Sequence, residues 1–297
     1  MDPHLLRTYV AVARLASFSA AARALGYTQS AVSQHVAALE TDLGLPLLTR
    51  RPVAPTPAGE RLLEHAGSLL LRLDAARADL ARFAAAPRRT LTLAAAPLAL
   101  PPTVLDALAA LPATGVTLRT LPRTEIPAAV ATGAADLGLV DGPAAPSDPL
   151  RLPDVAPLTA RRVGEEPLVV VLPAGHPLAG RAGLGLADLV DARWIDAPDA
   201  GLPLERLRAA VPAGPAGSAG QGFPVSLRYE GTDVRTLTAL AAAGHGLALL
   251  PRTAADGVPL TAPRLVHRVE LLHTGREPTG PAAELARRLA TAETTAR

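Results

Sequence analysis

The stretch Ser17–Gly44 constrains this chain more than any other. It reads as two short helices joined by a tight turn. Ser19 is placed to cap a helix over Ala20–Leu25, and Gly26, a residue able to adopt positive φ, ends it. After the turn at Gly26-Tyr27, Thr28 is a second cap, and a helix is expected from about Gln29 to Leu43 with Gly44 as its stop. Ahead of both, Leu5, Leu6, Tyr9, Val12, Ala13 and Ala16 recur at three- and four-residue spacing, which predicts an amphipathic helix over 3–16 with Pro3 in its first turn.

The helix expected at 29–43 has two faces. Val32, Val36, Leu39 and Leu43 should pack inward, while Gln29, Ser30, Ser33 and Gln34 form one polar stripe near its N-terminal end. A helix-turn-helix reads base edges with that end of its second helix. Gln can bond adenine at two points, and Ser can bond a purine or a phosphate. His35 projects from the same helix and is a further candidate for contact with phosphate or base. A solvated polar face on an ordinary three-helix bundle would show the same periodicity, so the stripe alone leaves both readings open.

Residues 45–57 narrow the choice. This Pro-punctuated segment carries the adjacent pair Arg50-Arg51 and looks like a two-stranded wing with its arginines placed to meet phosphate; a solvated arginine pair is the plainer alternative. Thr56 then caps a long helix over about 58–85, with Pro57 at its first position. Leu62, Leu69, Leu73, Leu80 and Ala84 keep an apolar seam along it. A lone helix with such a seam needs a partner, and an antiparallel copy from a second chain would bury it.

These residues resemble a known family. Phe18-Ser-Ala-Ala-Ala-Arg-Ala-Leu, Thr28-Gln-Ser-Ala-Val-Ser-Gln-His-Val, Leu39-Glu40, Leu43-Gly44, Arg50 and Thr56-Pro-Ala-Gly59 are similar in order and spacing to the LysR-type transcriptional regulators. The resemblance implies an all-α winged helix-turn-helix N-terminal domain plus a dimerising linker helix. Behind them it implies a C-terminal α/β periplasmic-binding-protein-like domain of two Rossmann-like subdomains that takes a small-molecule effector. Where the family commonly has Phe two residues before the wing arginine, this chain has Leu48, which can fill the same apolar slot.

Composition agrees with this plan. A chain of 297 residues is long enough for two or three domains, and nearly half its residues are hydrophobic. No apolar run approaches the roughly 18 residues that a bilayer span requires. The start Met1-Asp2-Pro3-His4 lacks the basic and apolar stretches of a signal peptide. Without cysteine there is no disulfide framework and no thiolate metal site. A cytoplasmic protein, with no membrane association, is the expectation. The charge is uneven: residues 1–89 hold 11 Arg against 7 acids, a balance of +4, and residues 90–297 hold 18 against 20, a balance of −2. A basic first segment suits a phosphate-binding domain. Lysine and asparagine are absent, which reads as a GC-rich coding bias and carries no functional weight.

Beyond a hinge at Pro87-Arg88-Arg89-Thr90, short apolar strands alternate with helical patterns, as in α/β architecture. Strands are expected at 91–96, 116–121, 136–140, 168–172, 194–196, 225–229, 246–250 and 264–272. Helices are expected at 102–111, 125–133, 186–191, 204–211, 233–243 and 281–291. The Gly/Pro-rich stretches 141–157 and 212–224 read as loops. The expected division is a DNA-binding domain at 1–58, linker and hinge at 59–88, and a regulatory domain at 89–297. Its first subdomain takes about 90–162 and 268–297, and its second about 163–267. Ligands of open α/β sheets bind outside the carboxyl ends of strands. That places an effector near Pro97, Leu98, Thr124, Asp141, Pro198, Asp199 and Gly246, and the resemblance points to the same loops. Thr124 stands where the family often has an effector-touching hydroxyl, and also where a helix begins. Ala96-Pro97-Leu98 lacks the hydroxyl common at its position, which suggests a more apolar effector.

An enzyme is not expected: there is no Gly-x-Ser-x-Gly elbow, phosphate loop or His-Glu-x-x-His. The histidines are scattered; His267 and His273 lie six apart on an expected strand without making a metal site, and Glu165-Glu166 reads as a solvated pair. No cofactor and no metal are expected. The expected partners are double-stranded promoter or operator DNA, a small effector of unknown identity, and further copies of the chain as a homodimer or homotetramer, with RNA polymerase as a further candidate. The alternative is a solute-binding protein without regulatory DNA binding.

Overall fold

The structure is a computed structural model that describes residues 1–84, 89–112, 115–146, 148–210, 222–275 and 277–295. Half of the expected hinge, residues 87 and 88, and most of the expected loop at 212–224 lie outside these residues. The chain divides into two units, Met1–Ala78 and Asp79–Arg297.

In the first unit, α1 (Pro3–Leu15), α2 (Phe18–Leu25) and α3 (Gln29–Leu43) are each started by a side-chain cap. Asp2, Ser17 and Thr28 accept the N–H of His4, Ala20 and Ala31. The cap of α2 is therefore Ser17, two residues ahead of the expected Ser19. Gly26 ends α2 with φ 73°, the left-handed conformation that lets the chain turn into α3 within three residues. Leu6, Tyr9, Val12, Ala21, Ala22, Val32, Val36 and Leu39 form the core; Leu43, expected inside, is exposed. The wing is a hairpin of β1 (Leu48–Arg50) and β2 (Val53–Pro55), and Leu48 is buried in the slot foreseen for it. The next helix, α4 (Pro57–Ala84), is capped by the Thr56 hydroxyl, which accepts from Gly59 N at 3.1 Å. Of its expected seam, Leu62 packs on the first unit's own core, whereas Leu69 and Leu80 are exposed.

The second unit contains β3 (Leu91–Ala95), α5 (Pro102–Ala109), β4 (Val116–Thr120), α6 (Ile126–Ala131), β5 (Leu137–Ala144) and β6 (Leu158–Val171). It continues through β7 (Leu184–Gly185), a 3₁₀ turn at Leu186–Leu189, β8 (Trp194–Asp196), α7 (Leu204–Ala210), β9 (Val225–Arg228) and α8 (Val234–Ala242). It ends with β10 (Ala248–Pro251), β11 (Val258–Ala262), β12 (Val266–Thr274) and α9 (Gly280–Thr295). Among the described residues, one sheet runs β4-β3-β5-β12-β6-β11-β7, with β10 also on β6, and β8-β9 form a separate parallel pair. One core gathers β3, β5, α5, α6 and α9 around Leu93, Leu137, Leu139, Ile126 and Leu285. The other half has two apolar clusters, around Trp194, Leu168 and Phe223, and around Ile195, Leu237 and Leu250. Strand β6 gives Val163 to the first half and Leu168 and Val170 to the second, so it is a crossover between them.

Several expectations change here. The strand expected at 136–140 runs to Ala144, because β12 supplies antiparallel backbone partners as far as Ala144↔Val266. Asp141 is therefore in a strand and buried, not on a loop. The strand expected at 168–172 begins at Leu158, the one at 264–272 is β12, and β11 is not among the expected strands. The helix expected at 186–191 is only the 3₁₀ turn. In each case long-range backbone pairing overrides local turn chemistry.

Candidate functional site

On the first unit, the expected reading stripe stands at the exposed N-terminal end of α3. Ser30 and Gln34 are exposed and Ser33 is half-buried; none of their side chains is hydrogen-bonded among the described residues. Thr28 serves as the cap, and Gln29 Oε1 accepts the Ser19 hydroxyl at 2.9 Å. His35 points back into its own unit. Its Nδ1 lies 3.2 Å from Thr8 Oγ1, and its ring packs edge-on against His4 and Tyr27. That geometry favours a supporting role beneath the stripe over contact with a partner.

The wing is tied to α3 by Glu40, whose Oε1 accepts Leu47 N at 2.8 Å and Leu48 N at 3.2 Å. Glu40 also pairs with Arg50 at 3.6 Å, and the Arg50 guanidinium sits 4.9 Å over the Phe18 ring. Arg50 is thus partly committed within the unit, while Arg51 is exposed and makes no ion pair among the described residues. Below them Tyr9 is buried against the first turn of α4, and burial, with Glu60 and Glu40 nearby, pushes its hydroxyl up to about 12.

In the second unit several of the expected effector residues lie at contacts between the two halves. Leu98 is buried in the apolar cluster of the opposite half, with Ile195, Ala197 and Leu237. Pro97 beside it is half-buried. Thr124 is exposed and caps nothing; α6 begins at Ile126 after Glu125, without a side-chain cap. At six residues α6 is too short to offer much of a dipole to an anion at its start. Its neighbour Arg123 takes the central place. Arg123 Nε donates to Pro198 O at 3.1 Å, Nη1 to Asp141 O and Oδ2 at 3.3 and 3.2 Å, and Nη2 to Gly201 O. One side chain from the first half thereby holds two carbonyls of the second. Pro198 contributes its carbonyl, and Asp199 is half-buried beside it. Gly246 lies on the far side with φ 148°, where a Cβ would meet Ser226 Oγ at 2.5 Å and the backbone of Trp194 at 3.0 Å.

Asp141 is buried and also accepts from His267 Nε2 at 3.0 Å. Across the β6–β12 pairing, His267 stands opposite Glu166, with its Nδ1 3.5 Å from Glu166 Oε1. Glu166 in turn accepts Thr253 N and Thr253 Oγ1, both at 2.9 Å. Both members of the Glu165-Glu166 pair are engaged, although Glu165 remains exposed and Glu166 half-buried: Glu165 pairs with Arg268, which also binds Glu270 at 2.7 Å. Burial alone would push His267 down, but the Asp141 hydrogen bond and the two carboxylates prevail and raise its pKa. Burial works to raise Asp141, yet the Arg123 and His267 charges hold it below the usual carboxylate range. Glu166 is likewise held low against its burial, by His267 and Thr253. His273, six residues along β12 and so about 20 Å away by strand rise, binds Thr274 O instead. The sequence offered only an acidic pair and a histidine on an expected strand, and nothing in it paired positions 141, 166 and 267.

Two family models match: "Bacterial regulatory helix-turn-helix protein, lysR family" over residues 3–60 and "LysR substrate binding domain" over 84–294. A "Probable hydrogen peroxide-inducible genes activator" of Mycobacterium avium is 39% identical over 193 residues, 63% of this chain and 59% of that protein. A protein of the same description from Streptomyces viridosporus is 33% identical over 97% of this chain and 86% of its own length. The full-length crystal structure of CbnR with its target DNA superposes with a TM-score of 0.52 at 19% identity, covering 98% of this chain and 99% of that one, which shows the shared fold. No helix among the described residues is long and apolar enough to cross a membrane. The first relative is matched over less than two thirds of its length, but the two family models together take in nearly the whole sequence, and the chain belongs to the lysR family of bacterial regulatory helix-turn-helix proteins.

Proposed function

We propose that this protein is a sequence-specific transcriptional regulator that binds promoter DNA and is controlled by a small molecule in the crevice of its second unit. The observation that carries this reading is the face of α3. Ser30, Ser33 and Gln34 stand side by side, without internal partners among the described residues, on a helix whose start is fixed by the Thr28 cap. Side chains held on a rigid helix with unused donors and acceptors suit base edges in a major groove. Thr28 and Gln29 flank the stripe, Arg51 is the free phosphate contact and Arg50 a constrained one, with His35 supporting from below. DNA binding falls to 1–58, linkage and dimerisation to 59–88, and effector control to 89–297. The exposed Leu69 and Leu80 on α4 favour a second copy of the chain as partner. The protein acts in the cytoplasm, where promoter DNA and RNA polymerase are at hand. The family match over residues 3–60 counts against a solute-binding protein without DNA binding.

The effector-facing residues are Pro97, Thr124, Asp199 and Gly246 around the Arg123–Asp141 contact, with Leu98 and Pro198 in the packing between halves. The relatives are named for hydrogen peroxide, but this chain has no cysteine, and peroxide sensing through a protein thiol requires one. A bound molecule is therefore the favoured signal. The test is retention on a library of duplex DNA at rising salt. Affinity should fall by about 0.9 log units per log unit of salt for each phosphate neutralised. Enrichment of one sequence class supports the reading; no retention at low salt, with turnover of a small molecule instead, overturns it.

A further inference from the structure

We propose that His267 is a proton-operated positioning residue of the crevice: as an imidazolium between Asp141 and Glu166 it keeps the two halves of the second unit latched, and losing its proton releases them. The inference rests on the crevice being the control site, but it concerns the crevice alone.

The geometry joins one cross-half contact to a contact within the second half through one ring. On one side, Asp141 orients Arg123, which reaches the carbonyls of Pro198 and Gly201. On the other, Glu166 on the crossover strand β6 holds the backbone and hydroxyl of Thr253. His267 lies between the two carboxylates, fully buried, with Nε2 on Asp141 at 3.0 Å and Nδ1 toward Glu166 at 3.5 Å. It sits on β12 just beyond β11 of the second half, at the point where the chain returns to the first, paired directly with β6. A change in its charge is thus felt where the chain crosses between the halves.

The charges facing the ring decide the preferred state. Asp141 comes from β5, Glu166 from β6, and Arg123 from the segment after β4. On the neighbouring register, Arg268 is taken up by Glu165 and Glu270, and Arg162 also lies by Glu165. With His267 protonated, two cations balance Asp141 and Glu166. With His267 neutral, one negative charge is left over. The Nε2 proton must then stay on Asp141, so the Nδ1 lone pair faces the half-buried Glu166 carboxylate, and the repulsion acts across the β6–β12 pairing. The cost of that uncompensated, largely desolvated charge is what would open the latch. Asp141 Oδ1 has no hydrogen-bond partner among the described residues, so no second donor is in place to take over from the imidazolium.

Because the chain has no cysteine, a distance across the crevice can be read with two introduced ones. Asp106→Cys on α5 and Arg206→Cys on α7 are exposed positions on opposite halves. The full-length chain carrying both is spin-labelled and diluted into unlabelled protein, so that only the intrachain distance is measured between pH 5.5 and 9. The expected result is one short distance at low pH and a longer population growing as pH rises, with its midpoint matching the His267 imidazole titration seen by NMR. His267→Gln, a neutral stand-in, should show the long population at all pH values; if it does not fold, the pH series on the unsubstituted latch decides alone. An unchanged distance distribution while His267 titrates overturns the proposal, as does a His267 that stays neutral throughout. DNA retention on the same samples is scored separately: its loss would count against the regulator reading and leave the latch result standing.

Discussion

Arg123 and Asp141 form a buried ion pair within the first half of the second unit, 3.2 Å from Nη1 to Oδ2, with the Asp141 side chain 0% and the Arg123 side chain 12% exposed. Their positions differ by 18 in sequence, and they meet because β5 continues past its Gly142-Pro143 signal to pair with β12. The pair converts a flexible arginine into a strut between the halves.

Removing one member leaves the other charge buried and unpaired. Asp141→Asn or Arg123→Ala should destabilise the second unit by about 3–5 kcal/mol in denaturant titration. Arg123→Lys should recover only part of that, since an ammonium lacks the planar fork that reaches Asp141 and two carbonyls together. Full recovery with Lys would mean that charge alone matters.

Stability of the second unit should peak in mildly acidic solution. The pKa of His267 is raised on folding, so its contribution is complete below its ordinary value of 6.5 and is lost as pH rises through the folded value. Asp141 and Glu166 are lowered, so theirs is present above the ordinary carboxylate range and is lost as pH falls through their folded values. Thermal melts across pH 4–9 should show both limbs, and His267→Gln should remove the alkaline limb and make the acidic one shallower, since His267 also helps hold both carboxylates low.

The two kinds of DNA contact should separate in binding assays. Gln34→Ala should relax preference at one base pair by about 1–3 kcal/mol. Arg51→Ala should weaken all sequences alike and reduce the salt slope by roughly one phosphate. A loss at Arg51 confined to one base would contradict its role. Arg50→Ala should add a structural effect, because it also removes contacts to Glu40 and Phe18.

Glu40 on the reading helix is the wing's anchor. Glu40→Ala removes the acceptor for two backbone N–H groups and should cost the first unit about 1–3 kcal/mol, read by denaturant unfolding. Glu40→Gln, which keeps a carbonyl oxygen, should cost less.

Hydrogen peroxide should leave DNA retention unchanged at concentrations that oxidise protein thiols, since Met1 carries the chain's single sulfur. A peroxide-dependent change in operator binding would reopen a redox role.

The helix-turn-helix was legible in the sequence down to its caps. Thr28, Gly26, Thr56 and the apolar positions of α3 act within a few residues, and their chemistry is local. Ser17 rather than Ser19 as the cap, and Leu43 exposed rather than buried, are errors of one turn at helix ends, where local signals are weakest. The crevice was legible only as a set of loops. Thr124 drew attention by its hydroxyl, while the chemistry went to Arg123 next to it; a flexible arginine beside a turn looks like any surface arginine until its acceptors are known.

By itself, then, the sequence determined the two-part plan, the exposed polar end of α3 and the alternation of strands and helices, because periodicity and capping depend on neighbours three or four positions apart. Tertiary structure decided which polar groups are buried and with whom. Asp141 and His267 are 126 residues apart in the chain and 3.0 Å apart in space. Gly142 and Pro143 read as a loop until β12 supplied their partners. Burial and charge pairing are set by non-local strand register, and no local pattern records which distant carboxylate a buried imidazole will face.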